Sequence, residues 1–166
     1  MSVIYYYTKN ENLPIFLKYG IRLSKNFNKE LNINGYVKPF LIGLLNPKDD
    51  LEKYNSNDYT CLKLDILDDH LRVIDKELIN NYNGEQLGYT QINNYIFGSL
   101  KNPIVLIDTS VISDKISIYN KTIDIPLLFD NSEEFFYELE VRKIIDEMPI
   151  KEVYEILKKM EQNIYS

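Results

Sequence analysis

The chain has 166 residues, of which 45% are hydrophobic and 27% charged, and its formal net charge is −6 at pH 7. This length and composition predict one globular domain over residues 1–166. The acid excess argues against a general nucleic-acid-binding protein, because phosphate contacts need clustered Lys and Arg. With no signal-peptide pattern, no apolar run near the roughly 18 residues of a membrane span and a single cysteine, we expect a cytoplasmic protein without membrane contact or internal disulfide.

The first predicted elements are a strand over residues 4–8 and a helix that begins after Asn12 and ends at Gly20. Ile and Tyr favour the strand. The Asn12 side chain is of the type that caps free N–H groups, and Pro14 lies in the first turn, where its missing N–H costs nothing. Gly20 supplies the residue with positive φ that ends many helices.

Three further strands are predicted from hydrophobic patterns. Residues 40–45 are an apolar run that ends at the turn-forming pair Asn46-Pro47. Residues 59–66 alternate between apolar and polar, and residues 103–107 form another apolar run. Cys61 lies in the second of these strands and is interpreted as a packing residue, because an activated thiolate needs a positive environment that the sequence does not indicate.

The remaining elements are predicted from turn and helix signals. Residues 75–81 suit a short helix, and Asn83-Gly84 indicates a turn before a polar loop that runs to residue 98. Ile116 and Ile118 alternate before Asn120-Lys121, and Ile123 and Ile125 alternate after it, with Pro126 following. This pattern predicts a hairpin whose second strand lies at an edge or bulge.

The C-terminal part predicts two helices. Asn131 and Glu134 form a capping box, and apolar residues follow it at helical spacing. A second amphipathic helix begins near Pro149, with an apolar stripe of Val153, Ile156, Leu157 and Met160. The predicted fold class is therefore α+β, a mostly antiparallel sheet with a short N-terminal helix and C-terminal helices.

His70 is the only histidine, and it follows Asp68 and Asp69. We interpret this tripeptide as a solvated turn; the alternative is that the two carboxylates raise the pKa of His70 or share a metal ion with it. No spacing typical of zinc ligands, no phosphate-binding glycine loop and no serine nucleophile elbow accompanies it. We therefore expect no metal site.

The N-terminal segment resembles the opening of ADP-ribosyltransferase-fold proteins, especially DarT-like enzymes. In that family a strand ending in His-x-Thr leads into an Asn-Leu helix, a glycine and a second strand. Tyr6 takes the position of the histidine, Thr8 that of the threonine, and Asn12-Leu13 that of the Asn-Leu pair. The resemblance implies a transferase-like fold with NAD as cofactor, in which Tyr6 and Thr8 border the nicotinamide-side ribose. A tyrosine can donate a hydrogen bond there but is never cationic.

The C-terminal Glu138-Leu139-Glu140 resembles the Glu-x-Glu that these enzymes place on a late strand. The resemblance implies that Glu140, with Glu138 beside it, holds the ribose 2′-hydroxyl and stabilises the positive charge that develops as nicotinamide departs. The capping box predicts a helix over the same residues. The two interpretations exclude each other locally, and the helix is the favoured one.

Further site residues follow from the same resemblance. Arg22, just after the first helix, is expected to contact an NAD phosphate, although a surface arginine is the commoner explanation. Tyr137 or Ser132 is expected to line the nicotinamide pocket, although helix capping is the simpler role for Ser132.

Two functional classes remain open from the sequence. The first is an NAD-dependent mono-ADP-ribosyltransferase of a toxin or phage–host conflict system, which acts on a protein or nucleic-acid target. The second is a catalytically silent acidic binding protein, such as an immunity protein or an inhibitor of a defence nuclease. Its partner would be a basic, nucleic-acid-binding protein, attracted by acidic segments with aromatic neighbours at residues 49–50, 65–69 and 133–134.

Overall fold

The computed structural model describes residues 1–124, 131–147 and 158–159. Its eight described strands are β1 (Ser2–Lys9), β2 (Lys29–Ile33), β3 (Tyr36–Gly43), β4 (Tyr59–Ile66), β5 (Leu71–Asp75), β6 (Thr90–Gln91), β7 (Pro103–Ile107) and β8 (Ile116–Ile118). The α-helices within these ranges are α1 (Leu13–Tyr19), α2 (Leu23–Asn26), α3 (Leu51–Tyr54), α4 (Lys76–Asn80) and α5 (Ser132–Glu147). None of the helices in this part of the chain has the length and apolar character needed to cross a bilayer.

The strands form two antiparallel sheets. One has the order β1-β4-β8 and the other the order β2-β3-β7-β5-β6. Tyr5 and Leu44 join them, because each backbone N–H donates to the carbonyl oxygen of the other, at 3.0 and 2.8 Å. The predicted α+β class with antiparallel pairing is confirmed.

Apolar residues cover both faces of the five-stranded sheet. One face packs against the three-stranded sheet, in a core that includes Ile4, Leu41, Leu62, Leu64, Val105 and Ile107. The other face forms a second core with α4, which includes Leu31, Phe40, Ile74, Ile79, Ile104 and Leu106. A strand buried on both faces has no polar side, and this explains why β7 is apolar at every position.

The N-terminal elements follow the prediction except at the helix cap. β1 contains the predicted strand, and α1 ends where expected. Gly20 has φ +81°, and a Cβ atom there would overlap the carbonyl oxygen of Val111, so two independent constraints require glycine. The expected Asn12 cap is wrong. Asn12 is the last residue of a 3₁₀ turn, Asn10–Asn12, and its side chain makes no capping hydrogen bond.

The hairpin of β2 and β3 was not predicted from the sequence. β2 and β3 pair across Asn34-Gly35, and both turn residues have positive φ, +57° and +84°. Asn-Gly is the pair that favours such a two-residue turn, because both residues tolerate the left-handed region. The predicted strand at residues 40–45 is the second half of β3 and the residues that follow it.

The hairpin predicted around Asn120-Lys121 is wrong within the described residues. β8 pairs with β4 instead, with Ile118 opposite Leu62. Residues 120–124 form a turn closed by the Asp124 N–H, which donates to the Asn120 carbonyl at 2.8 Å. Ile125 and Pro126 lie outside the described residues, as does the predicted second C-terminal helix with its apolar stripe, Val153, Ile156, Leu157 and Met160.

The helix predicted after Asn131 is confirmed. The Asn131 side-chain oxygen accepts a hydrogen bond from the Glu134 N–H at 2.8 Å. Glu138 and Glu140 therefore lie on α5, and the late-strand interpretation of these two glutamates is wrong. The capping side chain and a Glu138–Arg142 pair at 3.0 Å, spaced four residues apart, are local interactions that favour a helix.

Candidate functional site

A cleft with a volume of about 670 Å³ lies beside the two sheets. Five elements meet at this cleft. Each contributes a residue to the wall: β1 contributes Tyr6, the end of β3 contributes Ile42, α4 contributes Lys76, the start of β7 contributes Ile104 and the start of α5 contributes Ser132. A cleft of this size falls within the range of roughly 300–1,000 Å³ that is typical of small-molecule sites. It is therefore the candidate site for a ligand.

Tyr6 and Tyr7 form the β1 side of the cleft. Tyr6 is only 6% exposed, and burial raises the pKa of its phenol, against a hydrogen bond from Asn28 that acts in the opposite direction. The Tyr7 hydroxyl donates to the Pro47 carbonyl at 2.6 Å, and burial also raises the pKa of Tyr7. Both phenols are therefore neutral near pH 7, and Tyr6 can serve as a hydrogen-bond donor to a ligand.

Charged side chains of both signs share the wall of the cleft. The lysines are Lys48, Lys53, Lys76 and Lys101, and the carboxylates are Asp49, Asp50, Glu77 and Glu133. Two of the carboxylates take part in internal hydrogen bonds. Asp50 caps α3 by accepting from the Lys53 N–H at 3.1 Å, and Asp49 binds Ser132. Two of the lysines are paired as well, because Lys53 lies 3.9 Å from Asp50 and Lys101 lies 3.8 Å from Glu133.

Asp49 fastens the start of α5 to the body of the protein. Its two oxygens accept hydrogen bonds from the Ser132 N–H at 2.7 Å and the Ser132 hydroxyl at 2.8 Å. Burial raises the pKa of the Asp49 carboxyl, and the hydrogen bonds from Ser132 oppose that shift. Ser132 is itself buried, so both of its donors depend on this carboxylate. We call this pair of hydrogen bonds the Asp49 clamp.

Lys101 connects the cleft to the exposed side of α5. Its ammonium group lies 3.8 Å from a Glu133 oxygen and 5.1 Å from the centre of the Tyr137 ring. The contact with Tyr137 raises the pKa of Lys101, so the side chain remains cationic at neutral pH. Tyr137 thus lies beside the cleft, on the same helix face as Glu133.

The structure brings one of the predicted cofactor-binding residues into the cleft wall. Tyr6 lies in the wall, whereas Tyr137 contacts Lys101, which itself lines the cleft. Thr8 is buried in β1, where its hydroxyl donates to the Lys9 carbonyl. Arg22 is exposed next to Ile21, at the end of β7 remote from the cleft.

The two predicted catalytic glutamates lie further along α5. Glu138 pairs with Arg142, and Glu140 pairs with Lys143 at 3.3 Å, both on the exposed side of the helix. Neither glutamate lines the cleft. Glu140 shares a helix face with Glu133, and seven residues of helix separate the two by about 10 Å.

A second polar cluster lies at the opposite end of β5 and β7. His70 Nδ1 is 2.8 Å from one oxygen of Asp108, and Arg72 donates to the other oxygen at 2.7 Å. The β5–β7 pairing places Leu71 opposite Ile107 and so brings His70 next to Asp108. The contact of Asp108 with His70 was not predicted from the sequence, because 38 residues separate the two and only the strand register brings them together.

The chemistry of this cluster is that of an ion pair at the end of two strands. Arg72 is mostly buried and also stacks over the Tyr89 ring at 5.3 Å, so it neutralises Asp108 and fixes its position. His70 belongs to a 3₁₀ turn, Asp68–His70, and its side chain is partly exposed. No residue of this cluster lines the cleft.

Cys61 is a buried core residue. Burial raises the pKa of the Cys61 thiol to about 12, so the thiol stays protonated at neutral pH and the packing interpretation of Cys61 is confirmed. Over residues 1–124 and 131–143, no three His, Cys, Asp or Glu side chains are grouped as metal ligands.

Comparison with protein-family models, with curated proteins and with solved structures finds no match to this chain. The functional argument therefore depends on the cleft and on the sequence motifs.

Proposed function

We propose that the chain is an NAD-dependent mono-ADP-ribosyltransferase-like protein of a toxin or phage–host conflict system, and that NAD binds in the cleft. The observation that carries the proposal is the position of Tyr6. The residue that aligns with the ribose-binding histidine of the DarT-like motif lies in the wall of the 670 Å³ cleft.

The charges of the cleft suit a dinucleotide with two phosphates. Lys76 and Lys101 reach it from α4 and from the loop before β7, and Asn102 adds an amide next to Lys101. Ammonium and amide donors are the groups that bind phosphate oxygens in proteins. Tyr6 offers its hydroxyl on the opposite wall, where Tyr7 also lines the cleft and a ribose or a base can be held.

The catalytic carboxylate is proposed on α5. Glu140 lies on the helix face that starts at Glu133 in the cleft wall, whereas Glu138, two residues before Glu140, lies on nearly the opposite side of the helix. A carboxylate that binds the ribose 2′-hydroxyl stabilises the positive charge at the anomeric carbon as nicotinamide leaves. Glu140 is the first residue to test for this role.

The test is a titration of the purified protein with NAD, followed by thermal unfolding and calorimetry. At about 100 times its dissociation constant, NAD should add roughly 2.7 kcal/mol to the free energy of unfolding. Tyr6→Phe, which removes only the hydroxyl, should weaken NAD binding. Glu140→Gln should leave binding intact and abolish transfer. Unchanged melting at millimolar NAD would contradict the proposal.

The second candidate is an acidic binding protein, and the net charge of −6 favours it. The structure uses several of the acidic residues internally: Asp49 clamps Ser132, and Asp68 accepts from the Ser2 hydroxyl at 2.6 Å. Asp65, Asp69 and Glu134 remain exposed. A pull-down from host lysate at low and high salt separates the candidates, because a basic partner should bind at low salt and dissociate at high salt.

A further inference from the structure

We infer that α5 is a releasable wall of the cleft and that the Asp49 clamp is the contact that keeps it closed. In this arrangement the cleft opens by undocking of the helix, while the two sheets stay in place. The inference concerns the helix alone and does not depend on which ligand binds in the cleft.

The start of α5 forms the outer side of the cleft. Asn131, Ser132 and Glu133 line it, and Glu133 faces Lys101 across 3.8 Å. Undocking of the helix would remove all three residues from the wall. It would also separate the ammonium group of Lys101 from Glu133 and Tyr137, which it contacts in the docked state.

The body of the protein behind the cleft is much harder to move. All five residues of β7 are buried, and this strand pairs with both β3 and β5. Local opening takes place where few buried contacts would be lost, so the sheet is the stable side of the cleft.

By comparison, Ser132 is the only fully buried side chain among residues 132–143 of α5. Phe135 and Leu139 pack over Gly98, where any side chain would overlap them, and Phe135 also contacts Phe97 with ring centres 5.1 Å apart. Much of the remaining described surface of the helix is exposed, including Glu133, Glu134, Glu140, Val141, Arg142 and Lys143. Exposed ion pairs such as that of Glu140 with Lys143 stabilise little.

The Asp49 clamp is the buried polar contact among these. It satisfies the N–H and the hydroxyl of Ser132 together, and both are shielded from water. Loss of the acceptor would leave two buried donors unpaired in the docked state but hydrated in the released state. The clamp therefore shifts the equilibrium between docked and released α5.

The first experiment measures amide hydrogen exchange by mass spectrometry in the full chain. Asp49→Ala should accelerate exchange over residues 132–143 by about tenfold or more and leave β7 unchanged. Asp49→Asn is the matched control, because its amide can accept from the Ser132 N–H and donate to the hydroxyl, so exchange should stay close to that of the wild type. Ser132→Ala, which removes one of the two bonds, should give an intermediate acceleration.

The second experiment measures the acetylation rate of Lys101 by acetic anhydride, with the exposed Lys25 as internal reference. Release of α5 removes the contacts with Tyr137 and Glu133 that raise the pKa of Lys101, so more of the reactive neutral amine forms and Asp49→Ala should raise the ratio of the two rates. Unchanged exchange over α5 in both Asp49→Ala and Ser132→Ala would overturn the inference. Equal acceleration in α5 and β7 would also overturn it, because the clamp would then support the whole fold. Neither readout involves NAD, so this result is separate from the test of the proposed function.

Discussion

Asp49 combines two effects that act against each other. Burial disfavours its charged form and raises the pKa of the carboxyl, while the Ser132 N–H and hydroxyl favour the charged form through hydrogen bonds. The net shift is upward, so the folded state retains this proton at higher pH than the unfolded chain does. The charge of Asp49 thus costs stability, although its hydrogen bonds position α5.

The raised pKa of Asp49 predicts that this residue contributes to the pH dependence of the free energy of unfolding. Because the folded pKa lies above the unfolded value of about 3.9, the contribution of Asp49 is fully present below that value and is lost as pH rises through the folded pKa. Asp49→Asn removes the titrating carboxyl, so this loss of stability with rising pH should disappear. Urea unfolding between pH 3.5 and pH 7 should therefore show the variant gaining stability relative to the wild type as pH rises. A difference that is independent of pH would contradict the assignment.

Gly20 and Gly88 give a matched pair for backbone strain. Gly20 has φ +81° and a carbonyl oxygen where a Cβ would go, whereas the space around Gly88 is open. Gly20→Ala should lower the free energy of unfolding by more than about 1 kcal/mol, since the left-handed region alone costs an L-residue roughly 1–2 kcal/mol. Gly88→Ala should change it by less than about 0.5 kcal/mol. Urea denaturation measures both, and equal effects would contradict the role of Gly20.

At the scale of elements, the sequence predicts the strands with continuous patterns and misses those whose apolar residues are interrupted by charged ones. The predicted ranges of β4 and β7 equal the observed ones, because alternation marks a strand with one buried face and an unbroken apolar run marks one with two. β2 and β5 have five residues each and carry charged residues among the apolar ones. Their place in the sheet depends on pairing with distant strands, which no local pattern shows.

In the candidate site, too, local motifs were predictable from the sequence and contacts between distant residues were not. The motif around Tyr6 was visible in the sequence, and Tyr6 lines the cleft. The contact of Asp49 with Ser132 spans 83 residues, and that of His70 with Asp108 spans 38, so neither could be inferred before the strands and helices were placed. Local capping, in contrast, was enough to predict α5.

The β2–β3 hairpin offers a test of turn chemistry within one element. A Cβ at Gly35 would meet no neighbouring atom, so a substitution there reports only the strain of φ +84°. Gly35→Ala should lower the free energy of unfolding by about 1 kcal/mol. Gly35→Asn should cost less, because asparagine tolerates the left-handed region. Thermal unfolding of both variants checks the order, and a larger loss in Gly35→Asn would contradict the turn assignment.

At the scale of the whole molecule, β1 contacts both sheets. It pairs with β4 from Ser2 to Lys9, and Tyr5 joins it to the five-stranded sheet through Leu44. The core between the sheets contains Ile4 together with residues of β7, about a hundred positions later in the sequence. These contacts favour a single domain that cannot lose its first strand and remain folded.

Limited proteolysis tests this prediction. Cuts in exposed loops should leave fragments that stay associated, and no stable fragment should begin well after Ser24, because removal of β1 would expose the core face of β4. Ile4→Asn should make the full chain sensitive to protease, since Ile4 is fully buried. Val3→Asn is the matched control: Val3 is its neighbour on the other face of β1 and is 46% exposed, so this variant should keep the resistance of the wild type. A stable fragment without β1, identified by mass spectrometry, would show that residues 1–24 are not part of the folding unit.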